Sequence, residues 1–82
     1  MPRELAERMR FMYKHYYVNN NQTNNPGFHH EVHTEEHLNR LGIRSAVYLG
    51  YFNNEKDAVA KAKTIYLDAD GCLTCCPNAH RG

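Results

Sequence analysis

Tryptophan is absent, and cysteine is scarce and unevenly placed: the three thiols fall within positions 72–76. An odd number leaves one thiol over in any disulfide scheme, so a fully paired framework is excluded. An excess of charge of one sign is also missing. Ten Lys and Arg face nine Asp and Glu, a net charge of +1 with the six histidines neutral. No basic face of the kind a nonspecific nucleic-acid binder needs is built from that balance. Long apolar runs are lacking too, and none approaches the roughly 20 residues needed to cross a bilayer. The stretch Pro2 to Arg10 is charged and has no apolar core of a signal peptide. The expectation is a cytoplasmic chain with reduced thiols and no membrane association. No Gly-x-Ser-x-Gly elbow, phosphate-cradling glycine loop or dinucleotide fingerprint occurs.

What is present fits one small domain. Eighty-two residues that are 41% hydrophobic and 11% aromatic make a globular chain, although its mean hydropathy of -0.78 lies on the polar side. So small a core often needs a metal, a disulfide or a partner subunit. Residues 1–10 read as a flexible or short helical lead-in, and residues 11–82 as a single α+β domain. Phe11 to Val18 is aromatic and β-branched, which predicts a strand. Asn19 to Gly27, rich in Asn and ending in Pro26-Gly27, predicts a loop. A short strand over Phe28 to His33 follows, then one or two helical turns from Thr34 to Leu41, ended by Gly42. Ser45 to Phe52 predicts a further strand, with Gly50 a candidate bulge. Ala58, Val59, Ala62, Ile65 and Tyr66 recur at the helical period, which predicts a helix from about Asn54 to Tyr66. The expected fold is a three-stranded antiparallel sheet packed against one main helix, with a Cys/His-rich C-terminal segment. Aromatics on both faces of the first strand make a homodimer or a protein partner an expectation.

The candidate chemistry lies in Cys72-Leu73-Thr74-Cys75-Cys76-Pro77-Asn78-Ala79-His80 and in the histidines upstream. Cys72-x-x-Cys75 has the spacing at which two thiolates grip one ion from a turn. His80 follows within ligand range, and His30 or His33 completes a four-coordinate set. Zinc suits such mixed sulfur and nitrogen donors. The candidate metal ligands are therefore His30, His33, Cys72, Cys75 and His80, with zinc as the cofactor. His29, His33 and His37 also recur at four-residue intervals, and Glu31 is a carboxylate that can orient a ligating histidine. Other readings stay open beside this one. Cysteines are often buried small hydrophobes with no chemical duty. Thiol redox chemistry is a third reading, although Cys72 follows a helix instead of opening one. His30-Glu31-Val32-His33 does not meet the His-Glu-x-x-His zinc-protease pattern.

Two resemblances add to these readings. Glu31-Val32-His33, Tyr48-Leu49-Gly50-Tyr51-Phe52, the helix carrying Glu55, Ala58, Val59 and Ala62, and the segment from Asp70 to His80 are similar to a small family of uncharacterised bacterial Cys/His-containing proteins. The likeness covers most of the chain from Tyr16 onward. It implies that His30, His33, Cys72, Cys75 and His80 are the positions of interest, and it implies no activity. The relatives carry further cysteines near the positions of His37 and Lys56 and just before that of His80, which this chain lacks. Separately, Tyr48 to Val59 resembles the strand-helix junction of AP2-type and phage DNA-binding domains over about a dozen residues. A basic strand face is missing, since Phe11 to Val18 contributes only Lys14 and His15 and Ser45 to Phe52 none, so nucleic acid is not expected as a partner. The functional expectation is a non-catalytic, zinc-stabilised binding or protein-interaction module. A thiol or zinc-dependent enzyme at Cys72, Cys75 and His80 is the alternative, and a small DNA-binding domain a more distant one.

Overall fold

The computed structural model describes residues 12–24 and 27–81. The expected lead-in over residues 1–10, the start of the first strand at Phe11 and the Asn25-Pro26 part of the expected loop lie outside the described residues. In chain order the elements are β1 (Lys14–Asn24), β2 (Phe28–Thr34), α1 (Glu35–Leu41), β3 (Ala46–Phe52), α2 (Glu55–Ala62) and β4 (Asp70–Gly71). A short 3-10 turn over Pro77–Ala79 closes the described chain. The sheet order is β3-β1-β2-β4. β1 pairs antiparallel with β2 and β3, whereas β4 runs parallel to β2.

This corrects the expected architecture. Among the described residues the sheet is four-stranded and mixed, not three-stranded and antiparallel, and two helices flank it. The missed strand, β4, is two residues long, too short for any periodicity to announce it. The Asn-rich stretch expected to be a loop is strand as far as Asn24. Between the pairs Val18 with Val32 and Gln22 with His30, four steps along β1 face two along β2, so the strand bulges there. Asparagine side chains hold the bulge together. Asn19 Oδ1 accepts from the Asn21 N–H at 2.9 Å, Asn20 Nδ2 donates to Ser45 Oγ at 3.0 Å, and Asn20 Oδ1 accepts from Tyr66 Oη at 2.6 Å. Local side-chain bonds of this kind substitute for the missing ladder bonds.

One face of the sheet carries the core. Tyr16 and Val18 of β1, Val32 of β2 and Leu49 of β3 pack against Ala58, Val59 and Ala62 of α2, with Ala69, Cys76 and Ala79 filling the remainder. Asn54 caps α2, its Oδ1 accepting from the Asp57 N–H at 2.8 Å. The helix ends at Ala62, earlier than its apolar stripe suggests, because Thr64 Oγ1 turns back to the Lys61 carbonyl at 2.6 Å. The chain can then swing Tyr66 over His30, where the two rings stack 3.8 Å apart and 1° from parallel. Gly50 has φ 135° where the β1–β3 register shifts, and the expected bulge is there. On the opposite face Tyr13 stacks on Tyr51 at 5.1 Å and His15 Nδ1 meets Tyr48 Oη at 2.7 Å. Among the described residues no helix is long and apolar enough to cross a membrane.

Candidate metal centre

Parallel pairing of β2 with β4 builds the site. Glu31 aligns with Asp70 and Val32 with Gly71, and the Cys72 N–H donates to the Val32 carbonyl at 3.0 Å. One further step brings Cys72 level with His33. After Cys72 the chain turns sharply, closed by the Cys76 N–H to the Cys72 carbonyl at 2.8 Å, and the turn carries Cys75 over the end of β2. On the other side Thr34 ends β2 and caps α1, its Oγ1 accepting from the His37 N–H at 3.4 Å. That cap reverses the chain and returns the His37 ring to 5.5 Å from the His33 ring.

The result is a cluster of His33, His37, Cys72 and Cys75 whose four potential ligand atoms all lie within 4.8 Å of one another. Cys75 Sγ is 3.7 Å from His33 Nδ1. A tetrahedral zinc with Zn–S of about 2.3 Å and Zn–N of about 2.0–2.1 Å sets its ligand atoms roughly 3.3–3.8 Å apart. The set can hold a metal ion after a contraction of about 1 Å at its widest edge. No disulfide joins the thiols.

Electrostatics sort the three cysteines. The Cys75 thiol is held well below the ordinary thiol range, first by its hydrogen bond with Cys76 and then by His33 and the backbone of Thr34. Cys76, whose Sγ lies 3.8 Å from that of Cys75, is pushed up by the same hydrogen bond and by burial. Burial raises Cys72 as well. Cys75 is therefore the thiol most disposed to ionise, with the buried Cys76 beside it on the core side. A cation within the cluster would deprotonate Cys72 too. Behind His33, Nε2 faces Glu31 Oε2 at 3.6 Å.

Of the residues expected from sequence, the fold brings His33, Cys72 and Cys75 together and places His30 and His80 elsewhere. His80 Nδ1 donates to the Gly71 carbonyl at 3.0 Å and lies 3.3 Å from Asp70 Oδ2, so it ties the tail to β4. His30 lies on the core face, stacked on Tyr66, with Nδ1 2.6 Å from Asp68 Oδ1. Gln22 Nε2 donates to the other Asp68 oxygen at 2.7 Å. Together Gln22 and His30 hold the Asp68 carboxyl below its usual range. A group whose folded pKa is depressed contributes stability above its unfolded pKa and loses it as pH falls through the folded value. The Asp68→Asn variant should therefore show a shallower fall of stability on the acid side, beginning below about pH 4. Urea denaturation across pH 2 to 6, compared with the parent chain, checks this.

His37 is the member that ligand spacing did not select. Its recurrence four residues after His33 is visible in sequence, but as a helical repeat it points to the wrong geometry. The relevant signal is Thr34, whose capping bond turns a strand residue and a first-turn residue toward each other.

Two clefts flank the cluster. One, of about 290 Å³, is lined by Lys14, Glu36, Arg40 and Cys75 among others. The second, of about 310 Å³, is bounded by Thr23, Glu31, His33, Leu41, Ile43 and Cys72. His37 and Thr74 border both. No protein-family model, curated protein or solved structure matches this chain.

Proposed function

We propose that this chain is a zinc-stabilised, non-catalytic binding module. The observation that carries the reading is the convergence of His33, His37, Cys72 and Cys75 from two distant stretches of the chain. Two imidazoles and two thiolates are a borderline-soft set with no net charge once zinc is bound, which suits their half-buried position. Four protein donors complete a tetrahedron and leave no position for an activated water, which favours a structural ion over a catalytic one. The ion would join β2 and α1 to the tail. Glu31, buried with Oε2 3.6 Å from His33 Nε2, is the carboxylate placed to orient that ring on a small closure of the site. A binding role rests on the aromatic face, where Tyr48 and Tyr51 remain 49% and 46% exposed. Tyrosines there offer broad apolar area with polar ends, as interface residues do.

Elemental analysis and native mass spectrometry of the purified chain test this reading. One zinc per chain is expected, with a cobalt-substituted form showing the absorption of a two-thiolate tetrahedral site. A chain purified without metal and equally stable with or without a chelator would overturn the proposal.

A further inference from the structure

A cleft of about 170 Å³ separates α2 from the C-terminal tail, and no member of the metal cluster lines it. Its walls are Lys56, Val59, Ala60, Lys63, Ala79 and Arg81. Three cations and three apolar side chains therefore meet there without a carboxylate among the described residues. Helical geometry explains the convergence. Lys56, Val59, Ala60 and Lys63 follow the i, i+3, i+4, i+7 pattern of one helix face, and Lys63 caps α2 with helical backbone angles. The two lysines stand about 10.5 Å apart along the axis, so their ammonium groups can close from both sides on one group held over Ala60. Arg81 adds the third cation from the tail.

Two clamps hold the tail wall in place. Near the start of α2 the Glu55 oxygens accept from the Asn78 N–H and Nδ2 at 3.1 and 3.0 Å. Beside β4, Asp70 Oδ1 accepts from the Arg81 N–H at 2.9 Å. The cleft is thus formed in advance, which lowers the ordering cost of binding. Its cations lack partners. Among the described residues no ion pair reaches Lys56, Lys63 or Arg81. The carboxylates of the adjoining elements are engaged with other donors: Glu55 with Asn78, Asp57 with Asn54 Nδ2 at 2.8 Å, Asp68 with Gln22 and His30, and Asp70 with the Arg81 backbone and His80.

We infer that this cleft binds a phosphate dianion, either free or carried by a small organic ester. A phosphomonoester brings close to two negative charges and three acceptor oxygens, which match three cations better than the single charge and two oxygens of a carboxylate. Arg81 supplies the planar fork that fits phosphate oxygens, the lysines act as point charges, and Val59, Ala60 and Ala79 offer an apolar floor to the carbons beside the ester oxygen. A nucleic-acid backbone would need the cations to continue along the surface. Instead Lys63 and Arg81 also border the next cleft, where Asp68 and Asp70 reverse the sign. The inference makes no use of the zinc reading.

The test is an NMR titration of the full chain at low ionic strength with sodium phosphate and with glycerol 3-phosphate. Sodium acetate is the monoanion control and an oligothymidylate the polymer control. Saturable shifts at Val59, Ala60, Lys63 and Arg81 are expected with both phosphates in roughly the millimolar range, weakening as salt is raised to about 0.3 M. Lys56→Gln, Lys63→Gln and Arg81→Gln should each weaken binding about threefold to tenfold. Lys61→Gln removes the same charge about 140° round the helix from Lys56 and should leave binding unchanged. Tighter binding of glycerol 3-phosphate identifies an ester as the occupant, and tighter binding of inorganic phosphate the free ion. Absence of saturation, an equal response to acetate, or an equal loss in Lys61→Gln would overturn the inference. Oligothymidylate binding more tightly at the same residues would replace the small ligand with a nucleic acid and overturn it as well.

Discussion

On the proposed zinc reading, Cys72→Ser and His37→Ala should each abolish zinc binding, whereas His80→Ala and His30→Ala should still take up one ion per chain. The contrast follows from where the side chains are. Cys72 and His37 each supply one of the four converging atoms. His80 is occupied with the Gly71 carbonyl and His30 with Asp68. A structural zinc contributes its binding free energy to folding, because the unfolded chain offers no formed site. Losing a first ligand should lower stability by about 3 kcal/mol or more, which in a domain of this size is a fall in Tm of roughly 12–24 °C. His80→Ala removes one hydrogen bond and should cost about 1 kcal/mol. Zinc stoichiometry and thermal denaturation on the four variants separate the cases. A metal-free His80→Ala chain beside a zinc-loaded His37→Ala chain would refute the assigned ligand set.

Gly71→Ala should be strongly damaging although it adds only one methyl. A Cβ at this position would stand 2.7 Å from the Cys76 carbonyl oxygen, 2.9 Å from the Ala79 carbonyl carbon and 3.0 Å from Ala79 Cβ. Two of these neighbours are backbone, so no rotamer change relieves the overlap. Moving the tail away separates Cys75 from His33 and also disturbs its clamps. The Asn78 N–H and Nδ2 reach the two Glu55 oxygens at 3.1 and 3.0 Å, and the Arg81 N–H reaches Asp70 Oδ1 at 2.9 Å. A loss of about 3 kcal/mol is expected, with weaker zinc binding as a second effect. Gly42→Ala is the control. A methyl added at Gly42 would meet nothing within 4 Å, but the backbone there has a φ of 70°. The substitution should therefore cost about 1 kcal/mol and leave the metal in place. Equal losses in the two variants, measured by urea denaturation with and without zinc, would contradict the close-packing account.

The elements that sequence reveals here are those with their own periodicity or punctuation. The aromatic strands and the Ala58, Val59 and Ala62 stripe are local signals, and each marks an element close to where it lies. The fourth strand is legible only through its parallel partner about forty residues earlier, because two residues carry no pattern. Asn19 to Asn24 misleads for the opposite reason. Its composition says turn, yet Tyr66 and Ser45 supply hydrogen-bond partners from distant parts of the chain and make strand affordable. In the site, the Cys72-x-x-Cys75 spacing identifies two thiols that do converge, and His33 joins them through strand register. The choice among the remaining histidines turns on side-chain partners, Asp68 for His30 and the Gly71 carbonyl for His80, which no spacing rule contains.

The distance along the chain between the two halves of the cluster has a kinetic meaning. Residues 33 and 37 come from the first half of the domain and residues 72 and 75 from the last, so the pairing of β2 with β4 must close a long loop. Hairpin and helices form from near neighbours and can assemble first, while closure of such a loop waits on chain diffusion and its entropic cost. Docking of the C-terminal segment should then come last in folding. The colour that cobalt acquires on capture would report the moment the tail arrives.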